Sequence, residues 1–292
     1  MFDLASKVLK RGVPAHSTVG VRPHLRGDLP TMERPISQLC TQAQFESPVY
    51  DFWCDRIREP PRRHRKQWEF VYILHALSMR GMLNPSRSGL GFGVGQEPLP
   101  AVMALYGAEV CATDLPIEEA RNAGWVSTSQ HSASLTDLNN RGICPGGAFA
   151  RLVTFQPVNM NSIPQDLRGF DFTWSSCCLE HLGSIEAGFQ FIEASLEALK
   201  PGGIAVHTTE FNCSSDDETI TSGDTVLYRR SDILGFLDRI VAKGYQVSVT
   251  LSDAGDPLDK HVDVPPYSSD RHLRLQISRY VTTSIGLIIE KS

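Results

Sequence analysis

Residues 86–116 read SRSGLGFGVGQEPLPAVMALYGAEVCATDLP and contain the most regular glycine pattern of the chain. Glycine occupies every second position from 89 to 95, an apolar helical pattern follows, and the next strand ends on Asp114. A bare turn lets the backbone approach a ligand without Cβ collisions. An acid at the tip of the neighbouring strand can accept hydrogen bonds from a ribose diol. The stretch therefore predicts a nucleoside site between two strands.

The spacing of these glycines does not match either of two common phosphate-binding motifs. The dinucleotide pattern G-x-G-x-x-G needs a third glycine where the chain has Gln96 or Pro98, and a P-loop needs a Gly-Lys pair that does not follow. The spacing that remains suits adenosine carrying a small charged tail better than a pyrophosphate.

Composition and charge limit the classes of protein to consider. Hydrophobic residues make up 41% and charged residues 21% of 292 positions, which is typical of a globular protein with a core. A net charge of -5 gives no reason to expect a nucleic acid partner. Seven scattered cysteines without a CxxC pair indicate reduced thiols, and no apolar run approaches a membrane span. We expect a cytoplasmic location, with no membrane partner.

The order of patterns along the chain predicts an α/β protein. Residues 1–35 lack a sustained period and are expected to form a loosely ordered arm, and residues 36–82 carry helical spacings that predict a helical cap. From residue 83 to 292 strands alternate with helices, which is typical of a mostly parallel sheet covered on both faces.

Four motifs in this region resemble those of the class I S-adenosylmethionine (SAM)-dependent methyltransferases. They are GLGFGVG, CATD, FDFTWSSCCLEHLGS and LKPGGIAVHTTEF, and the resemblance covers roughly residues 86–290. It implies a Rossmann-like, doubly wound, seven-stranded sheet with an antiparallel last strand, SAM as cofactor, and a SAM-binding domain over 83–292. One departure is Gly89, which stands where the family often has an acid.

The resemblance also implies which residues hold the cofactor. Gly91, Gly93 and Gly95 would face the methionine end of SAM. Asp114 would hold the ribose hydroxyls, and Leu115 would lie beside the adenine. The remaining candidates are Asn159 and Met160 for the adenine amino group, and Ser175 and Ser176 beside the sulfonium.

Several residues are candidates for chemistry at the acceptor. His181 follows the fourth strand, at the edge where open α/β sheets place their sites, and an imidazole can take a proton near neutral pH. It could equally cap the next helix or hydrogen-bond to Glu180. His207 and Glu210 end the fifth strand, and His207 could equally be a core histidine. Candidates for the acceptor site are Glu180, Tyr267 and His272.

Two other interpretations compete with these. The histidines and acids invite a metal site, but no short ligand pattern such as H-E-x-x-H supports one, so no metal is predicted. The basic run 58–69 could contact RNA, although most such runs are solvated faces. The insertion at 124–132, with Trp125, Gln130 and His131, could fold over the cofactor or cover the sheet edge.

The functional prediction is methyl transfer from SAM to a small molecule or sugar-type (saccharide) metabolite, with O-methylation favoured. The sulfonium already activates the methyl group, so alignment and proton removal are the enzyme's tasks. Methylation of RNA or protein is one alternative, and a SAM-binding scaffold without catalysis is another.

Overall fold

The structure is a computed structural model that describes residues 23–122, 124, 131–132 and 134–292. Its helices are α1 (Pro48–Arg56), α2 (Arg65–Met79), α3 (Leu99–Leu105), α4 (Ile117–Asn122), α5 (Gly146–Leu152), α6 (Ile185–Glu197), α7 (Arg230–Ala242) and α8 (Pro257–Lys260). Its strands are β1 (His24–Leu25), β2 (Ser37–Leu39), β3 (Ser88–Phe92), β4 (Glu109–Asp114), β5 (Val153–Pro157), β6 (Phe170–Ser176), β7 (Gly183–Ser184), β8 (Leu199–Asn212), β9 (Ser222–Gly223), β10 (Ser248–Thr250), β11 (Val262–Asp263), β12 (Arg274–Ile277) and β13 (Tyr280–Glu290).

One large sheet organises the described residues, and its main path runs β1-β10-β2-β13-β8-β6-β3-β4-β5. The pairs from β8 to β5 are all parallel, while β13 runs antiparallel to β8 from the Thr282↔Asn212 pair to the Glu290↔Ile204 pair. The predicted α/β fold, Rossmann-like with a mostly parallel sheet and an antiparallel last strand, is confirmed.

The number of strands is a correction, because the sheet has eleven strands rather than seven. The additional strands are two to four residues long: β1 and β2 come from the N-terminal region, β12 pairs with β13, and β11 pairs with β12. The β2 strand lies between β10 and β13 and pairs with both. Such short segments carry too few residues to show a strand period in the sequence.

The region 36–82 contains the expected helices but also contributes to the sheet. The α2 helix packs on β13 and β8, and its buried Trp68 and Tyr72 share one hydrophobic core with Trp174 of the main sheet. Residues 36–82 and 83–292 are therefore packed together, and the boundary between them stays a prediction.

Part of the predicted arm is ordered against the sheet. The β1 strand pairs with β10, and Met32 is fully buried in the core. Residues 1–22 lie outside the described part of the chain, as do Trp125 and Gln130 of the insertion.

Candidate functional site

A cavity of about 690 Å³ opens at the carboxyl edge of the sheet. It lies where β3, β4, β5 and β6 end, which is the edge at which open α/β sheets bind ligands. Its volume falls within the range of about 300–1,000 Å³ typical of small-molecule sites. The lining residues that the sequence predicted are Gly93, Gly95, Asp114, Leu115, His131, Asn159, Met160, Ser176 and His181.

Two glycines shape the turn between β3 and α3. Gly93 has φ +57° and Gly95 has φ +48°, in the left-handed region that side chains disfavour. A Cβ on Gly93 would lie 2.8 Å from Cys178 Sγ, so the position is closed to larger residues as well. The Gly95 amide donates to Asp114 Oδ2 at 3.0 Å, which joins the turn to the end of β4.

The position of Gly91 shows that the prediction for this glycine is wrong, because Gly91 does not line the cavity. It lies within β3 opposite Trp174 of β6, and a Cβ there would be 2.2 Å from the indole ring. Gly89 makes room for the Phe172 ring in the same way, at 2.1 Å. The first half of the glycine pattern therefore accommodates two aromatic side chains, and only the second half lines the cavity.

Asp114 lines the cavity and is only 7% exposed. Its carboxylate accepts three backbone hydrogen bonds: from Gly95 at 3.0 Å, from Ser132 at 3.0 Å and from Leu115 at 2.7 Å. Burial raises the pKa of this carboxyl group, although these amides partly oppose the shift. A carboxylate offers about four acceptor positions, so one remains for a ligand hydroxyl.

The end of the cavity expected to bind adenine contains a residue that the sequence did not suggest. Asn159 donates from Nδ2 to Glu119 Oε2 at 2.7 Å, while its own oxygen accepts the Asn161 amide at 2.9 Å. Asn159 thus orients Glu119, which also lines the cavity. His131 lies within hydrogen-bond distance, 2.7 Å, of the Leu115 carbonyl and covers the same end.

The two serines at the end of β6 have different surroundings. Ser176 lines the cavity and donates to Glu69 Oε2 at 3.1 Å. Ser175 is fully buried, lies 2.8 Å from His207 Nδ1 and does not line the cavity. This alternation follows from the strand itself, since successive side chains point to opposite faces. The prediction that Ser175 borders the sulfonium is therefore corrected.

His207 is a core histidine, which corrects its assignment as a catalytic candidate. The ring has no exposed surface and is hydrogen-bonded between Ser175 Oγ at 2.8 Å and Ser195 Oγ at 3.1 Å. It also contacts the Phe191 ring at 5.5 Å between centroids. Burial lowers its pKa to about 3, so the imidazole is neutral near pH 7, and His207 does not line the cavity.

His181, in contrast, lines the cavity. Its Nδ1 lies 2.7 Å from the Asp224 carbonyl oxygen, and because a carbonyl only accepts, Nδ1 carries the proton. In the neutral ring, Nε2 then keeps its lone pair, and it lies 3.9 Å from Glu180 Oε1. Glu180 itself is fully buried and does not line the cavity, so its predicted contact with the acceptor is corrected.

A buried polar cluster lies behind the cavity, formed mostly by residues that sequence reasoning did not select. The Arg65 guanidinium pairs with Glu210 and lies 3.5 Å from Glu69. Glu69 accepts hydrogen bonds from Ser284 at 2.5 Å and Thr208 at 2.9 Å. Arg65 and Glu69 belong to the basic run 58–69, where exposed and buried charges look alike in sequence.

Glu210 belongs to this cluster and not to the cavity wall. It is 3% exposed, pairs with Arg65 and accepts from the Thr282 hydroxyl at 3.1 Å. Burial raises the pKa of Glu210, although Arg65 opposes the shift. The prediction that Glu210 takes part in chemistry at the acceptor is therefore corrected, and Glu180 is the acid beside His181.

Ligand atoms of Cys177, Glu180 and Glu210 lie within 4.8 Å of one another among the described residues. However, the Arg65 guanidinium pairs with Glu210 and lies 3.7 Å from Cys177 Sγ. The Arg65 guanidinium therefore already supplies the positive charge beside these groups where a metal ion would bind. The donor set therefore does not fit a metal.

The loop 261–276 carries Tyr267 and His272 and does not line the cavity. The prediction that these two residues bind the acceptor is therefore corrected. Tyr267 is exposed and donates its hydroxyl to the Gln276 carbonyl at 2.6 Å. His272 is buried with Nδ1 2.6 Å from Asp263 Oδ2, and its carbonyl accepts the Arg65 amide at 3.0 Å. The loop thus anchors the start of α2, whose Lys66 lines the cavity.

Comparisons with known proteins return similar folds. No family model and no curated protein matches the chain. A protein of Galdieria sulphuraria named as a sarcosine dimethylglycine methyltransferase is 20% identical, with a TM-score of 0.36. That match covers 65% of this chain and 55% of the other, so the chain spans little more than half of that protein.

Two further solved structures cover more of their own length. Magnesium protoporphyrin IX methyltransferase of Synechocystis PCC 6803, solved with bound SAH, is 13% identical over 85% of this chain and 96% of that one, with a TM-score of 0.46. The glycopeptide N-methyltransferase MtfA is 13% identical over 75% and 94%, with a TM-score of 0.45. These are similarities of fold, and the proteins' names specify different acceptors.

No helix in the described part of the chain is both long and apolar enough to cross a membrane.

Proposed function

We propose that this protein is a SAM-dependent methyltransferase. The observation that carries the proposal is the position of Asp114, which lies beside the left-handed Gly93–Gly95 turn in one cavity at the carboxyl edge of the sheet. The remaining acceptor position of its carboxylate suits a ribose hydroxyl. Leu115, Glu119 and Asn159 would surround the adenine, and the turn would face the methionine end.

We assign the general base to His181. The Asp224 carbonyl holds the ring in the tautomer whose Nε2 can accept a proton from a hydroxyl or amine. Glu180, 3.9 Å from Nε2, would stabilise the imidazolium that forms. SAM would supply the activated methyl group to the acceptor atom and would become S-adenosylhomocysteine (SAH), while Nε2 of His181 would take the acceptor's proton.

The acceptor in this proposal is a small molecule or sugar-type metabolite that loses a hydroxyl proton. Lys66, Phe70 and Leu182 line the same cavity as His181, whose volume of about 690 Å³ leaves space for a compact acceptor. Part of the basic run is engaged within the protein, because Arg65 is buried and Arg62 pairs with Glu59. A cytoplasmic location stays part of the proposal.

Calorimetry with SAM and SAH tests cofactor binding, and methyl transfer from radiolabelled SAM to metabolite and RNA fractions tests the acceptor class. We expect binding of both cofactor forms and label in the small-molecule fraction. Absence of SAH binding would refute the methyltransferase proposal. Label in RNA, with binding that weakens steeply with salt, would instead favour the alternative of RNA methylation. Binding without transfer to any fraction would favour a non-catalytic scaffold.

A further inference from the structure

Glu97 is a buried carboxylate on the cavity wall that the proposed function has not used so far. It is 7% exposed and follows the glycine turn, where its amide donates to the Val94 carbonyl at 3.1 Å. One carboxylate oxygen, Oε1, accepts from the indole Nε1 of Trp174 at 2.7 Å. The other oxygen has no hydrogen-bond partner among the residues that the structure describes, and no basic side chain there forms an ion pair with Glu97.

A buried carboxylate without a counter-ion is costly, since burial penalises its charged form. Burial raises the pKa of Glu97 well above its ordinary value, and the nearby carboxylates of Asp114 and Glu69 raise it further. The Trp174 hydrogen bond and the more distant charge of Lys66 oppose this only in part. A cation that enters the cavity would therefore find an acceptor that is incompletely satisfied by the protein.

We infer that Glu97 binds the α-ammonium group of the methionine part of SAM. This inference rests on the proposed function. The position of Glu97 in the chain supports binding at the methionine end of SAM, because Glu97 lies two residues after Gly95 of the glycine turn. The other carboxylates of the cavity wall, Asp114 and Glu119, lie toward the ribose and adenine positions. Oε2 accepts the ammonium hydrogen while Oε1 keeps its bond to Trp174.

The test compares two ligands on Glu97→Gln. SAH carries the ammonium group, whereas 5′-methylthioadenosine has the same adenosine part and lacks the amino acid. The glutamine oxygen can still accept from Trp174, so the substitution removes the charge and keeps the packing. We expect SAH to bind about 10–100-fold more weakly to the variant and methylthioadenosine to bind within about twofold of wild type.

Glu119→Gln is the matched control, since it makes the same chemical change in the same cavity. Any effect of that variant should be equal for both ligands, because both share the adenine. An unchanged SAH affinity in Glu97→Gln would overturn the inference. An equal loss of both ligands would also overturn it, because Glu97 would then support the turn. If wild type binds neither ligand, the proposed function itself fails, which is a different result.

A measurement on the unmodified protein covers the case in which Glu97→Gln does not fold. Because burial raises the pKa of Glu97, any fraction of Glu97 that is protonated in the free protein must ionise against the ammonium group and release a proton when SAH binds. Calorimetry at several pH values between about 5 and 8, in two buffers of different ionisation enthalpy, should therefore show more proton release with SAH than with methylthioadenosine on the acid side of this range. Equal proton release for the two ligands would overturn the inference.

Discussion

Replacing Gly91 with alanine distinguishes a packing role from a cofactor-binding role. The added Cβ would lie 2.2 Å from a carbon of the Trp174 ring, whereas ordinary contact begins at 3.4 Å. The indole would have to move by about 1.2 Å to accommodate it. Trp174 cannot move easily, because it is fully buried, hydrogen-bonded to Glu97 and packed beside Phe172.

Overpacking of this kind typically costs about 1–3 kcal/mol of unfolding free energy. At about 2–4 °C per kcal/mol for a chain of this size, Gly91→Ala should lower Tm by several degrees. Urea unfolding followed by tryptophan fluorescence measures the loss, and calorimetry with SAH measures binding on the same sample. We expect binding to stay within a few-fold of wild type at a temperature where the variant is folded.

Gly146→Ala is the control, because a Cβ there meets no atom within 4 Å. Its stability should equal or slightly exceed that of wild type. The packing account is refuted if Gly91→Ala is as stable as wild type but binds SAH much more weakly. That result would restore the interpretation that Gly91 faces the cofactor.

Three further predictions address the site. Asp114→Ala should weaken SAH binding by about tenfold or more, since it removes a charged acceptor, and unchanged affinity in calorimetry would contradict the ribose assignment. His181→Gln should reduce methyl transfer by about 10²–10⁴-fold with little change in SAH affinity, and near-normal turnover would exclude His181 as the base. His207→Leu should make the free energy of unfolding less dependent on pH below about 6.5. The folded His207 pKa of about 3 lies below the unfolded value of about 6.5, so unfolding takes up a proton between these limits. The unfolding free energy of the wild type therefore falls as pH drops below 6.5, and His207 contributes up to about 1.4 kcal/mol per pH unit to this loss. Urea unfolding at several pH values measures the dependence for both proteins. Equal slopes of unfolding free energy against pH would contradict the assignment of His207 as a neutral core residue.

The main alternating strands and helices of residues 83–292 could be read from the sequence because each of these longer elements shows its period. The β6 strand, for example, covers seven residues of this region, Phe170–Ser176, and the predicted α/β class is confirmed. The β2 strand could not be predicted in this way. Its three residues become a strand only because β13 and β10 offer them hydrogen-bonding edges.

The sequence also located the core of the candidate site, because the glycine turn and Asp114 lie within about one βαβ unit of each other. Tertiary structure decided which side chains reach the cavity. Gly91 and His207 looked like site residues, yet β6 packs an indole against the first and the second is enclosed by two serines. Glu97 lines the cavity although nothing in its local sequence separates it from a surface acid. Sequence determines the order of elements and the backbone freedom at each position, whereas burial and side-chain partners depend on which strands become neighbours.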